Sequence, residues 1–238
     1  MWPFARKKSI KESNLLARGC DYHSHLLPAV DDGIESIAEA VETLAKYEQA
    51  GIDELWLTPH IMEDYPNGRE NLQQRLEELR AAYSGTITLH LAAEYMLDEH
   101  FDSLLRTKEF LPIGETKNHL LVETSYFTPP MNLDSTLQRI QSAGYHPLLA
   151  HPERYVYMGK ERYKELHEKG IKFQLNIMSL AGAYGREAQK KAEWLIAHDL
   201  YTVAGSDLHS PDALQLIAAT PLGKKESTAL RNLLKNKL

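Results

Sequence analysis

The chain predicts an α/β fold, a single seven-stranded (β/α) TIM-like barrel with a metal site at the C-terminal ends of its strands. Three observations carry that expectation. Seven strand-like apolar runs alternate with amphipathic helical patterns, the signature of a parallel sheet covered by helices. Several runs, such as Leu120-Leu121-Val122 and Pro147-Leu148-Leu149-Ala150, are continuously apolar, as strands buried on both faces must be. Histidines and carboxylates recur at or just past the ends of six runs, and only closure of the sheet gathers those ends around one mouth.

Taken in order, strands are expected at 19–24, 53–58, 86–93, 119–124, 146–151, 172–177 and 201–206. Residues 36–50 place Ile37, Ala40, Val41, Leu44, Ala45 and Tyr47 on one broad helical face, and Gly51 stops the helix. Residues 70–83 do the same with Leu72, Leu76, Leu79 and Tyr83. Segments near 133–143, 160–169 and 185–198 repeat the pattern, with Gly144 and Gly170 suited to helix ends. No linker or internal repeat interrupts 19–238, which reads as one domain. Before it lies a basic arm, 1–18, in which Trp2 and Phe4 precede Arg6, Lys7, Lys8 and Lys11. Residues 1–12 suit weak contact with an anionic membrane surface or a partner; a solvated terminus is the plainer alternative.

Composition narrows the classes. With 238 residues the chain suits one barrel, large enough to bury roughly 70% of its extended-chain surface. A net charge of −6 argues against a general nucleic-acid binder, which carries a basic face. No run reaches the ~18 apolar residues of a spanning helix, and the N-terminus lacks the apolar core of a secretion signal, so the expected location is cytoplasmic. The single cysteine, Cys20, excludes a disulfide framework and a cysteine-rich zinc site. A cysteine phosphatase needs Arg six positions after its nucleophile, and that position is Leu26; Cys20 reads as a small buried apolar residue.

The run ends hold the chemistry. His23-Ser24-His25 points two imidazoles to one side of a strand, because side chains alternate with period two, so both can reach one ion. Asp207-x-His209 repeats the geometry at the last strand, the neighbour of the first in a closed barrel. His60 and His151 end the second and fifth strands, where each alone would pass for a hydrogen-bonded structural histidine. Glu94 and Glu123 end the third and fourth in apolar surroundings, where a carboxylate is costly unless paired or bound to a cation. With Asp31 and Asp32 these make five histidines and four or five carboxylates, more than one tetrahedral ion needs. Mixed imidazole and carboxylate donors suit manganese, iron or zinc. Arg154, three residues after His151, can turn a planar fork toward a phosphate held there; pairing with Glu153 is the alternative.

These stretches resemble a known family. The segments Asp21-Tyr22-His23-Ser24-His25-Leu26-Leu27-Pro28, Asp31-Asp32-Gly33, Thr58-Pro59-His60, Ala93-Glu94, Val122-Glu123, Ala150-His151-Pro152-Glu153-Arg154-Tyr155 and Gly205-Ser206-Asp207-Leu208-His209 are similar to those of the PHP (polymerase and histidinol phosphatase) metal-dependent phosphoesterases. Within these, they most resemble the bacterial manganese-dependent protein tyrosine phosphatases of capsular and exopolysaccharide loci. The resemblance implies a distorted seven-stranded barrel and three divalent ions, manganese first with iron or zinc as alternatives. By motif, His23, His25, Glu94 and Asp207 would hold one ion and Glu94, Glu123 and His151 a second, with Glu94 bridging. Asp32, His60 and His209 would hold the third, with Asp31 supporting the loop. Arg154, Glu94 and His209 are the implied catalytic residues, and Arg154 the phosphate-binding one. Where some relatives carry further arginines this chain has Ile61-Met62-Glu63 and Ser210-Pro211-Asp212-Ala213, leaving Arg154 to act alone.

The implied activity is hydrolysis of phosphotyrosine by direct attack of metal-bound hydroxide, on the C-terminal tail of a bacterial capsule tyrosine kinase. Tyr126 and Phe127, with Pro129 and Pro130, can form an apolar shelf for the phenyl ring, or instead a lid over the core. A small-molecule phosphatase such as one for histidinol phosphate would use the same ligands. A nuclease-like phosphodiesterase is disfavoured by the acidic charge. A non-catalytic module that binds a phosphotyrosine tail is the alternative from another class.

Overall fold

The alternating pattern becomes parallel strands joined through helices, as β–α–β connection requires. The structure, a computed structural model, describes residues 7–238. Its strands are β1 (Lys8–Ser9), β2 (Gly19–Ser24), β3 (Ile52–Leu57), β4 (His60–Ile61), β5 (Thr88–Leu91), β6 (Glu94–Met96), β7 (His119–Glu123), β8 (His146–Ala150), β9 (Lys172–Asn176), β10 (Val203–Gly205) and β11 (Pro221–Leu222). The helices are α1 (Ile37–Ala50), α2 (Arg69–Ala82), α3 (Glu99–Thr107), α4 (Leu133–Ser142), α5 (Lys160–Glu168), α6 (Ile177–Ala181), α7 (Gly185–Ala197), α8 (Pro211–Ala219) and α9 (Lys224–Leu233). The five expected helices are present, and α1 starts and stops as its sequence says: Ser36 accepts from the Glu39 amide, and Gly51 takes φ 89°. Helices α3, α6, α8 and α9 were not foreseen; α3 and α6 are short, and α3 buries only Phe101 and Leu105.

Two parallel sheets result, in the orders β2-β3-β5 and β10-β9-β8-β7-β6-β4. The expected strands at 53–58 and 86–93 appear as β3 and β5, and just past each the chain breaks and resumes as a further short strand, β4 and β6. Pro59 has no N–H to give a ladder, and past it the chain resumes as β4, which pairs with β6 instead of β5. Main-chain bonds bridge the break, from Ala92 N to Leu57 O at 2.9 Å and from Glu94 N to Pro59 O at 3.1 Å. On the other side Ser24 bridges Leu208, and Asp207 N donates to His23 O at 2.8 Å. The architecture is thus mixed α/β with a curled, parallel-stranded sheet.

Alternation sorts the core into two clusters. Leu120 and Val122 join helix residues such as Leu137 and Ile140, whereas Leu121 joins Cys20, Tyr22, Trp56, Leu148 and Val203 on the opposite face. Cys20 is buried there, as its reading required, and burial pushes its thiol pKa up. Of the expected arm, β1 pairs antiparallel with β11, and Ile10, Leu15 and Leu16 are buried, while Lys8 and Lys11 stay exposed. Trp2, Phe4 and Arg6 lie outside the described residues. Among the described residues no helix is long and apolar enough to cross a membrane.

Candidate metal centre

Every expected ligand comes to one end of the curled sheet, where the parallel strands deliver their C-termini. β2 slips register against β3 between Asp21 and Ser24, the kind of irregularity that re-aims side chains. His23 Nε2 then lies 3.1 Å from His25 Nε2, 3.1 Å from Glu94 Oε2 and 3.3 Å from Asp207 Oδ1. His25 Nε2 is 3.3 Å from Glu94 Oε2 and 3.4 Å from Asp207 Oδ1. All four residues are buried.

Their orientation is set by partners one layer out. His23 Nδ1 is 3.0 Å from Gln174 Oε1, His25 Nδ1 is 2.7 Å from Asp31 Oδ2, and His209 Nδ1 is 2.9 Å from the Asp207 carbonyl. Each acceptor takes the Nδ1 proton, so that Nε2 is the nitrogen turned to the cluster, the arrangement that metal-ligating imidazoles favour. Asp31 also accepts from the Gly33 and His60 amides, each at 3.0 Å, so it supports the loop as expected. Gly33 and Gly205 carry no side chain for a steric reason. A Cβ on Gly33 would strike the His25 carbonyl, and one on Gly205 would strike the His23 Cβ.

The remaining expected ligands complete the cluster with two changes of grouping, His60 joining Glu94 and Glu123 and His25 joining Asp32, His60 and His209. His151 Nε2 is 2.9 Å from Glu94 Oε1 and 3.8 Å from Glu123 Oε2. His60 Nδ1 also faces this pair, 3.3 Å from Glu94 and 3.2 Å from Glu123, while its Nε2 is 3.6 Å from Asp32 Oδ1. His209 Nε2 is 3.5 Å from the same Asp32 oxygen, and its ring stacks on His25 at 3.9 Å. His60 therefore stands between two groups of donors. Donor atoms converge in three sets: His23, His25, Glu94 and Asp207; His60, Glu94 and Glu123; and His25, Asp32, His60 and His209.

Arg154 follows His151 on a short 3-10 turn (Pro152–Arg154). It does not pair with Glu153, which turns inward to Ser179, Asn176 and Tyr201. Instead Arg154 Nη1 donates to Asp207 Oδ2 at 2.7 Å, and its guanidinium lies 4.3 Å from the Tyr126 ring and 3.9 Å from the Tyr184 ring. Tyr126 is half-buried, 5.7 Å from His151, whereas Phe127 is 75% exposed. Gln174, Asn176 and Tyr184 were missed in the sequence, where nothing local marks them. Asn176 Nδ2 donates to Asp207 Oδ2 at 2.8 Å and lies 3.1 Å from the Tyr184 hydroxyl.

This donor set fits divalent cations. Burial disfavours a proton on His23, yet Glu94 and Asp207 push its pKa up to about 9. Burial would raise Glu94, but His23 and hydrogen bonds from its neighbours hold it well below the usual carboxylate range. Buried carboxylates are thus balanced by protons on imidazoles, which is the charge that cations replace when they release those protons. Nδ1 of His151 is buried without a hydrogen-bond partner. An unmatched polar atom of this kind is costly in a purely structural cluster.

Fold and site together define a class: an α/β protein with a multinuclear candidate metal centre at the mouth of a curled parallel sheet. The chain belongs to the capsular polysaccharide synthesis CpsB/CapC family, which it matches over residues 19–215. CapC of Staphylococcus aureus is 29% identical over 196 residues, covering 80% of this chain and 76% of CapC. The tyrosine-protein phosphatase YwqE of Bacillus subtilis is 28% identical over 196 residues, covering 80% and 77%. A solved structure from the pair YwqE of Bacillus subtilis and CpsB of Streptococcus pneumoniae, metal-dependent tyrosine phosphatases, has the same fold. It superposes with a TM-score of 0.71 at 24% identity, covering 90% of this chain and 86% of that one.

Proposed function

We propose that this chain is a metal-dependent protein tyrosine phosphatase that hydrolyses phosphotyrosine on an extended segment, the C-terminal tail of a capsule tyrosine kinase exposed in the cytoplasm. Family membership and the activity named for YwqE support the reading. The observation that carries it is the convergence of five imidazoles and four carboxylates beside an arginine packed against two tyrosine rings. Three divalent ions, manganese first, are the proposed complement. His23, His25, Glu94 and Asp207 take one, Glu94 and Glu123 with His151 a second, and Asp32, His60 and His209 a third. Ions so bound polarise phosphoryl oxygens and lower the pKa of a water molecule.

The chain's own groups do the rest. Arg154 spends one N–H on Asp207 and keeps the rest of its fork for phosphoryl oxygens, where it balances charge that builds in the transition state. Gln174 and Asp31 keep protons on the far nitrogens of His23 and His25. Tyr126 and Tyr184 pack against the guanidinium and limit its contact with water. We read the two sheets as one closed barrel of seven strand positions, since the breaks after β3 and β5 carry pairing from one sheet to the other and the Ser24–Leu208 bridge joins last to first.

The test is the initial rate on a phosphotyrosyl peptide against histidinol phosphate, with manganese and with chelator. Manganese-dependent turnover favouring the peptide is expected. A preference for histidinol phosphate would move the reading to a small-molecule phosphatase, and no turnover of either would sink it.

A further inference from the structure

Four large apolar side chains stand out as exposed among the described residues: Phe127 at 75%, Met131 fully, Val156 at 62% and Leu216 at 44%. Three of them lie on the loops that leave β7 and β8, the strands ending in Glu123 and just before His151. The loops are tied together, because Val156 N donates to the Tyr126 carbonyl at 2.8 Å. Val156 thus stands beside the Tyr126–Phe127 peptide unit. The Tyr126 ring itself lies under Arg154 and 5.7 Å from His151. One residue therefore joins an exposed apolar rim to the arginine proposed to hold phosphate.

Exposed apolar surface is unfavourable in water, and where it is concentrated beside a site it marks recognition. A compact phosphomonoester bound at the metal centre has no atoms to lay on a rim that faces solvent. An extended peptide does: each residue advances the chain by about 3.3 Å, so neighbours of the phosphotyrosine pass over the mouth. We propose that Phe127 and Val156 form a docking rim for apolar side chains flanking the phosphotyrosine of a peptide substrate. This rests on the phosphatase reading and deepens it from a reacting group to a peptide class. It also revises the expected shelf. Tyr126 serves the site, while Phe127 serves the residues beside the reacting one.

The test separates docking from turnover. Two fluorescein-labelled peptides carry phosphonomethyl-phenylalanine, a non-hydrolysable phosphotyrosine mimic, flanked on both sides by leucine or by serine. Their affinities for the manganese-loaded full chain are measured by anisotropy, for the parent and for the Phe127→Ser/Val156→Ser double variant. The parent should prefer the leucine peptide about tenfold, the scale of a small buried apolar contact on each side. The double variant should retain about a twofold preference or less. Equal affinities in the parent, no binding of either peptide, or a preference that survives in the variant would each overturn the rim. Hydrolysis of p-nitrophenyl phosphate is measured in parallel. Its absence would sink the phosphatase reading while the binding result still decides the rim.

Discussion

An arginine is most useful to a phosphate when its plane is already set, since a free side chain loses rotamer freedom on binding. Arg154 is set by two tyrosine rings against its guanidinium and by its hydrogen bond to Asp207. Tyr184 is itself steadied by Asn176, which also holds Asp207. We expect Arg154→Ala to lower kcat/KM on a phosphotyrosyl peptide about 100-fold, as for loss of one charge-stabilising donor. Tyr184→Leu should cost about tenfold and Tyr184→Phe little, because the stacking ring and not the hydroxyl faces the guanidinium. The Arg154→Ala/Tyr184→Leu double variant should be no worse than Arg154→Ala, since the ring would act only through the arginine. Fully additive losses would refute that coupling.

At the level of elements, the site depends on strand ends that pass each other very closely. Gly205 closes β10 against β2, and a Cβ there would lie 2.8 Å from the His23 amide nitrogen and 2.9 Å from Gln174 Nε2. Such a Cβ would displace His23 and the partner that fixes its tautomer together. Gly205→Ala is therefore expected to weaken manganese binding at least about tenfold, the range seen when supports of metal ligands are lost. Gly159→Ala, where a Cβ meets nothing within 4 Å, is the matched control. Calorimetric titration of both variants decides it, and equal affinities would show that the close approach is not what positions His23. The break after β3 at Pro59 belongs to this scale too: it hands His60 to β6, in register with Glu94.

For the molecule as a whole, the far end of the sheet predicts acid sensitivity. His119 opens β7, where Lys172 Nζ lies 2.7 Å from its Nε2 and the His146 ring is 5.2 Å away. Burial first, then the Lys172 and His146 charges, push its pKa down to about 4 from the ordinary 6.5. Unfolding therefore takes up a proton between those values, so stability is full above about 6.5 and is lost as pH falls through about 4. Urea unfolding at pH 7.5 and pH 5 should show a larger loss for the parent than for His119→Gln. Equal losses in the two proteins would refute a role for this histidine.

What the sequence determined by itself is what has a local signature. Continuous apolar runs marked parallel strands, glycines marked the ends of helices such as α1, and the expected ligands sat at run ends or on the loops that leave them. Cys20 read as buried and is buried. Those features follow from backbone periodicity and from the cost of burying charge, both visible within a few residues. Only the tertiary structure decided the rest: the transfer of β4 and β6 to the second sheet, the place of His60 between two donor groups, and the turn of Glu153 away from Arg154. It also supplied Gln174 as the partner of His23, across 151 positions. Contacts that distant have no spacing to read, because they exist only once the sheet curls and brings the strand ends together.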